Sequence, residues 1–226
     1  IEYIAEAMYF QLDKNELVFP HPKYADEDGL LAVGGDLSTA RLLLAYENGI
    51  FPWFSEDNPI LWYAPHDRFV LYPQEFKISK SLKQFIHNSG YTVKQDTAFQ
   101  ETIANCAAIP RNGQDGTWIT AAMQDAYIEL HKLGYAHSVE TFDAHGQLVG
   151  GLYGVQIGAV FCGESMFAKT ANASKMAFAY LCAKENIHLI DCQIHSDHLA
   201  SLGAKMITNT AFLEFLENQI PKPHGF

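Results

Sequence analysis

The sequence predicts an α+β fold in which a sheet is covered by helices. Three observations carry that expectation. Apolar residues recur with a helical period in several segments up to Gly134, extended segments follow one another from Ala136 to Cys162, and a helix–strand–helix series begins near Ser174. No internal repeat or low-complexity stretch interrupts the chain.

The first clear punctuation is Gly34-Gly35, which reads as a turn. Ser38 then caps a helix whose Leu42, Leu43 and Tyr46 share one side and which Gly49 ends. The Pro- and aromatic-rich stretch from Phe51 to Pro65 is the strongest boundary, and it divides a small domain, 1–65, from a larger one, 66–226. Beyond it Phe69 to Tyr72 reads as a strand, and Ser79 to Asn88 as a helix with Leu82, Phe85 and Ile86 on one face, closed by Gly90. Thr97-Ala98-Phe99-Gln100 has the form of a capping box opening a helix with Phe99, Ile103 and Cys106 inward. Thr120 caps the next helix, which stops at Gly134. Ala136 to Phe142, Leu148 to Val155 and Ala159 to Cys162 form an antiparallel meander with a turn at residues 143–146. A helix from Ser174 to Glu185, a strand from Ile187 to Gln193, a short helix near His198 and a last helix around Phe212 to Leu216 complete the order.

With 226 residues, 48% of them hydrophobic, the chain has enough apolar surface to build its own core. The cysteines, Cys106, Cys162, Cys182 and Cys192, form no Cys-x-x-Cys pair, so neither a zinc ribbon nor a disulfide framework is expected and a reducing cytoplasm fits. Residues 1–17 have no basic region followed by an apolar run, and no later segment approaches a membrane span, so neither secretion nor membrane insertion is expected. The net charge of −11 argues at first against a nucleic-acid partner. Locally the sign reverses. Between His66 and Lys94 the basic residues Arg68, Lys77, Lys80, Lys83 and Lys94 face only Asp67 and Glu75. Charge alone reads this segment as a solvated helix face, with phosphate binding as the alternative.

Asp191 and Gln193 sit at the end of an apolar strand, and a period of two puts both side chains on one face. They either share a site or serve as a loop cap and a satisfied core amide, and spacing alone favours the second. Glu164, in Gly163-Glu164-Ser165-Met166-Phe167, follows the third meander strand and offers a carboxylate where glycine permits close ligand approach. Ser165 lies in no Gly-x-Ser-x-Gly elbow and reads as a turn serine. His195 and His198 have one tolerable ligand spacing, but without His-Glu-x-x-His or cysteine pairs no metal is expected. Gly150-Gly151-Leu152-Tyr153-Gly154 lies inside a strand pattern, where glycines permit a bulge or close backbone approach to a ligand rather than a nucleotide loop. Trp53, Trp62 and Trp118 read individually as core, with base stacking as the alternative.

Taken together these segments resemble the leucyl/phenylalanyl-tRNA-protein transferase family. The match begins with Gly29-Leu30-Leu31-Ala32-Val33-Gly34-Gly35-Asp36-Leu37-Ser38 and runs through Gly49-Ile50-Phe51-Pro52-Trp53-Phe54, Pro59-Ile60-Leu61-Trp62 and Thr117-Trp118-Ile119. It continues in Ala136-His137-Ser138-Val139-Glu140, the residues 148–155, Gly163-Glu164-Ser165-Met166-Phe167, Asn172-Ala173-Ser174-Lys175, Leu189-Ile190-Asp191-Cys192-Gln193 and the residues 198–204. The chain departs from the family pattern at Ala168-Lys169, in place of the usual Ser-Arg, and at Ile207 to Thr210, in place of a Pro-Arg-like segment.

The resemblance implies a small N-terminal domain followed by an acetyltransferase-like (GNAT) domain with a central mixed sheet. It implies transfer of Leu or Phe, with Met as a further donor, from Leu-tRNA or Phe-tRNA to proteins beginning with Arg or Lys, which marks them for degradation. It assigns Asp191 and Gln193 to the catalytic pair, Trp53 and Trp118 to the flanks of the terminal adenosine, and Glu164 to the active site. The aminoacyl ester is already activated, so positioning and proton management suffice, without metal, cofactor or covalent intermediate. The expectation is that Asp191 holds the incoming amine, directly or through Gln193, while Gln193 relays protons to the ribose hydroxyl leaving group. An apolar pocket lined by Leu152, Phe161 and Phe167 is expected to take the transferred side chain and exclude β-branched Ile or Val. Lys80 and Lys83 are expected on tRNA phosphates, Glu164 near the acceptor's cation, and no DNA or membrane partner. A monomer is expected. The main alternative, an acetyl-CoA-dependent N-acetyltransferase, lacks a pyrophosphate loop ahead of the Ser174 helix. The second, a non-catalytic tRNA-binding module, leaves Asp191 and Gln193 unexplained.

Overall fold

The computed structural model describes residues 9–109 and 117–219. Its first sheet has four strands, β1 (Phe10–Leu12), β2 (Leu30–Gly34), β3 (Phe51–Pro52) and β4 (Leu61–Tyr63), in the order β1-β2-β4-β3. Between β2 and β3 the turn at Gly34 and Gly35 has φ of 93° and 74°, and helix α1 (Thr39–Glu47) follows with Ser38 accepting from Arg41 N, as its sequence requires. Arg41 is buried, and its Nη2 donates to the carbonyls of Asp13 at 2.8 Å and Glu16 at 2.9 Å, which fastens the chain after β1 to α1.

The second sheet has seven strands, β5 (Asp67–Leu71), β6 (Thr92–Gln95), β7 (Ala136–Phe142), β8 (Leu148–Ile157), β9 (Val160–Ala168), β10 (Leu189–Gln193) and β11 (Lys205–Thr208), in the order β11-β5-β10-β9-β8-β7-β6. Within this sheet, among the described residues, only β9 and β10 pair parallel, so the sheet is mixed, and the α+β class holds. Helices α3 (Phe99–Ala108), α4 (Ala121–Lys132) and α7 (Asn209–Glu217) cover one face, and α5 (Ala173–Cys182) covers the other. The remaining helices, α2 (Lys80–Asn88) and α6 (Asp197–Ser201), flank it, and α2 begins at the Ser79 cap. Phe99, Ile103 and Cys106 point into the core, and that core is continuous from Leu12 through Trp62 to Leu216, across both sheets.

Two expectations are corrected. Thr97 does not cap α3; Ala98 stands at the cap, because the Thr97 hydroxyl donates to the buried Glu140 carboxylate at 3.0 Å. The third meander strand does not stop at Cys162 but runs on to Ala168, so Glu164 lies within a strand. It does so as a bulge. Tyr153 pairs with Ser165 and Gly154 with Gly163, which leaves Glu164 as the extra residue of β9. Gly154 is the glycine this needs, since a Cβ there would collide with the Cys162 carbonyl oxygen.

Candidate active site

The parallel ladder of β9 and β10 ends at Asp191 opposite Cys162, although β9 continues. Beyond that point β9 carries the Glu164 bulge, and β10 skips Cys192 in its pairing with β5 and turns at Gln193, whose φ is 64°. A cavity of about 430 Å³ fills this gap, lined by Trp53 and Trp118 and, on its apolar side, by Leu152, Phe161, Met166 and Leu181. Glu164, Asp191 and Gln193 border it.

Asp191 is fully buried. Its Oδ1 accepts from Arg68 Nε and from the Gln193 backbone N–H, both at 2.9 Å, and its Oδ2 accepts from Arg68 Nη2 at 2.7 Å. Arg68 in turn donates from Nη1 to the Gly49 carbonyl at 2.8 Å and lies between the rings of Phe51 and Phe212, at 4.8 and 4.6 Å. Burial works against the guanidinium charge, but Asp191 outweighs it and holds Arg68 above its ordinary pKa. Arg68 therefore belongs to the interior and not to the basic surface segment in which its sequence position placed it.

Glu164 is almost as buried, 8% exposed, and among the described residues its hydrogen-bond partners are all neutral. Its Oε1 accepts from Gln193 Nε2 at 2.9 Å and lies 2.7 Å from Tyr46 Oη, its Oε2 lies 3.2 Å from Tyr127 Oη, and the two tyrosine hydroxyls are hydrogen-bonded to each other, so all three hydroxyl contacts are satisfied only when the carboxyl group itself carries a proton. Burial pushes its pKa from 4.5 up to about 7, against the hydrogen bonds of the two tyrosines and Gln193 and with help from the Asp191 charge. Glu164 thus stands near half-ionised at neutral pH, the condition in which a carboxyl group both takes and returns a proton.

One family model, described as leucyl/phenylalanyl-tRNA protein transferase, matches residues 70–217, and the model of that family's N-terminal domain matches residues 35–66. The chain belongs to the leucyl/phenylalanyl-tRNA protein transferase family. Relatives named leucyl/phenylalanyl-tRNA–protein transferase are similar over nearly their whole length. The one from Pseudomonas fluorescens is 51% identical over 218 residues, 94% of this chain and 96% of that protein. The one from Syntrophobacter fumaroxidans is 50% identical over 214 residues, 93% of this chain and 91% of the other. Solved structures are more distant: FemX aligns with a TM-score of 0.46 at 11% identity, over 79% of this chain and 71% of that one, so the architecture rests on the chain's own strand order.

Set beside the expectations for this family, Asp191, Gln193 and Glu164 come together, as do Trp53, Trp118, Leu152 and Phe161. Phe167 does not. Its six-residue spacing from Phe161 puts both on one face of a regular strand, but the Glu164 bulge reverses the alternation, so Phe167 enters the core on the opposite face and Met166 lines the cavity. Lys80 and Lys83 are exposed on α2. His195 and His198 are exposed too, with His195 Nε2 3.9 Å from Asp197 Oδ1, and among the described residues no group of three or more potential ligands is positioned for a metal. Tyr46, Tyr127 and Arg68 were the site residues that sequence reasoning passed over. The signal for the tyrosines was a hydroxyl on an apolar helix face, which needs a buried partner.

Proposed function

We propose that this chain transfers Leu or Phe, and also Met, from aminoacyl-tRNA to the N-terminal Arg or Lys of acceptor proteins in the cytoplasm, which marks them for degradation. The observation that carries the reading is the cavity of about 430 Å³, apolar on one side and with Glu164 and Gln193 at its edge, in a chain about half identical to named transferases. Trp53 and Trp118, both half-buried at the cavity, are suited to flank the terminal adenosine, and exposed Lys80 and Lys83 to meet phosphates. Acetyl-CoA transfer has no comparable support.

In the reaction the neutral α-amine attacks the ester carbonyl, a C–N bond forms, and the bond to the ribose oxygen breaks as that oxygen gains a proton. Gln193 Nε2 is committed to Glu164, so its Oε1 is turned to accept an N–H from the amine. Glu164 takes up the proton the amine loses and returns it to the leaving oxygen, with Gln193 and the tyrosines as its hydrogen-bonded path. Asp191, closed off by Arg68, acts as a positioning residue that fixes the Gln193 backbone, rather than as the group that holds the amine. Transfer of labelled Leu from Leu-tRNA to an Arg-initiated peptide, with acetyl-CoA and Ile-tRNA as control donors, tests the reading. Equal transfer from Ile-tRNA, or acetylation in place of aminoacylation, would sink it.

A further inference from the structure

Resting on this reading of the cavity, we infer that Phe161 and Leu181 form a removable wall that limits donor side-chain length and separates the apolar cavity from a polar subsite. Both residues line the large cavity, and both also line a second cleft of about 20 Å³, room for roughly one water molecule. The cleft is unlike its neighbour. Its polar lining includes Gln95, His137, Gln156, Lys184 and Asn186. Its histidine is fixed, because His137 Nδ1 is hydrogen-bonded to Asp96 Oδ2 at 2.8 Å, which leaves Nε2 as the ring's other polar atom.

The linings of the two cavities have two side chains in common. Phe161, 1% exposed, comes from β9, and its ring lies where a Cβ on Gly154 would approach to 2.7 Å. Leu181, 4% exposed, comes from the facing side of α5. Neither makes a polar contact, so shortening either removes volume without leaving a buried polar group unpaired. A donor side chain that extends beyond Phe then passes the wall and ends among the polar groups of the cleft. The substrate class of the opened site is an aromatic amino acid with a short polar tip.

The test uses the full chain and tRNA charged with Leu, Phe, p-ethylphenylalanine or p-(hydroxymethyl)phenylalanine, the last two being equal in length and different only at the tip. Phe161→Leu and Leu181→Ala are expected to raise kcat/KM for both extended donors relative to Leu by about tenfold, the scale of one or two methylenes in an apolar pocket, and to favour the hydroxymethyl tip. Phe178→Ala, which enlarges the large cavity alone, is expected to gain the ethyl donor without that preference. Parallel loss for all donors in both wall variants, or a tip preference in Phe178→Ala equal to theirs, overturns the inference. Calorimetric binding of the same aminoacyl groups as 3′-amido adenosine analogues reads the wall without the reaction. A parent chain that transfers neither Leu nor Phe counts against the proposed function, while the binding arm still decides this one.

Discussion

Glu164 holds its proton more tightly than an exposed glutamate because burial penalises its charge, and its partners among the described residues are hydroxyl and amide groups. Its folded pKa, about 7, lies above its unfolded value near 4.5, so the stability it contributes is complete below pH 4.5 and is lost as pH rises through 7. Glu164→Gln removes this dependence. Relative to the parent, the variant is expected to gain about 2 kcal/mol between pH 5 and pH 8 in urea denaturation, and to lose the limb of the transfer-rate profile that rises through pH 7. Gln193 offers a second test at this scale, because its φ of 64° costs an L-residue with a Cβ about 1 kcal/mol or more. Gln193→Gly is expected to be about 1 kcal/mol more stable than Gln193→Ala, while both lose transfer. Equal stability would show that the backbone there is unstrained.

At the scale of elements, the site depends on two neighbouring strands that leave regular pairing at the same level, β9 at Glu164 and β10 at Cys192. Gly154→Ala brings a Cβ against the backbone of Cys162 and the ring of Phe161, neither of which yields cheaply. The expected cost is about 1–3 kcal/mol, read as a lowered Tm, with a larger proportional fall in kcat/KM as Glu164 is displaced. Much of this level was legible in the sequence. Ser38, Ser79 and Thr120 announced their helices, and the glycines of β8 announced a bulge, because caps and tight backbone approaches are local. Strands β1, β2, β3, β4, β6 and β11 were not foreseen, since they span two to five residues and owe their form to partners elsewhere in the chain. The meeting of Tyr46, Tyr127 and Glu164 was hidden for the same reason: α1, α4 and β9 each read as ordinary, and only packing brings their polar atoms together. For Asp191 and Gln193 spacing favoured a structural role; the family resemblance pointed to the site, and the geometry divides the pair into one buried anchor and one group facing the cavity.

At the scale of the whole molecule, the two sheets share one core, and the site draws on both. Phe51, Trp53 and Tyr46 come from the first part, and Glu164, Asp191 and Gln193 from the second. A chain shortened to residues 66–226 loses the Gly49 carbonyl and the Phe51 ring that complete the surroundings of Arg68. Breaking up a buried charged arrangement costs about 3–5 kcal/mol, so this fragment is expected to lack a cooperative thermal transition by calorimetry. The net charge of −11 leaves tRNA attraction to local cations. Lys80→Ala with Lys83→Ala is accordingly expected to weaken tRNA binding and to lower the slope of log affinity against log salt by about 2, with the Tm unchanged because both side chains are exposed.

Arg68 also sets an order of events during synthesis. Its guanidinium is joined by residues 19 positions before it and 123 positions after it, and the Phe212 ring that closes over it comes later still. A growing chain on the ribosome therefore carries an uncompensated cation at the centre of its future interior until β10 emerges, and that centre cannot close until α7 has left the exit tunnel. An enzyme that modifies the ends of other polypeptides is thus withheld from work until its own α7 has been made.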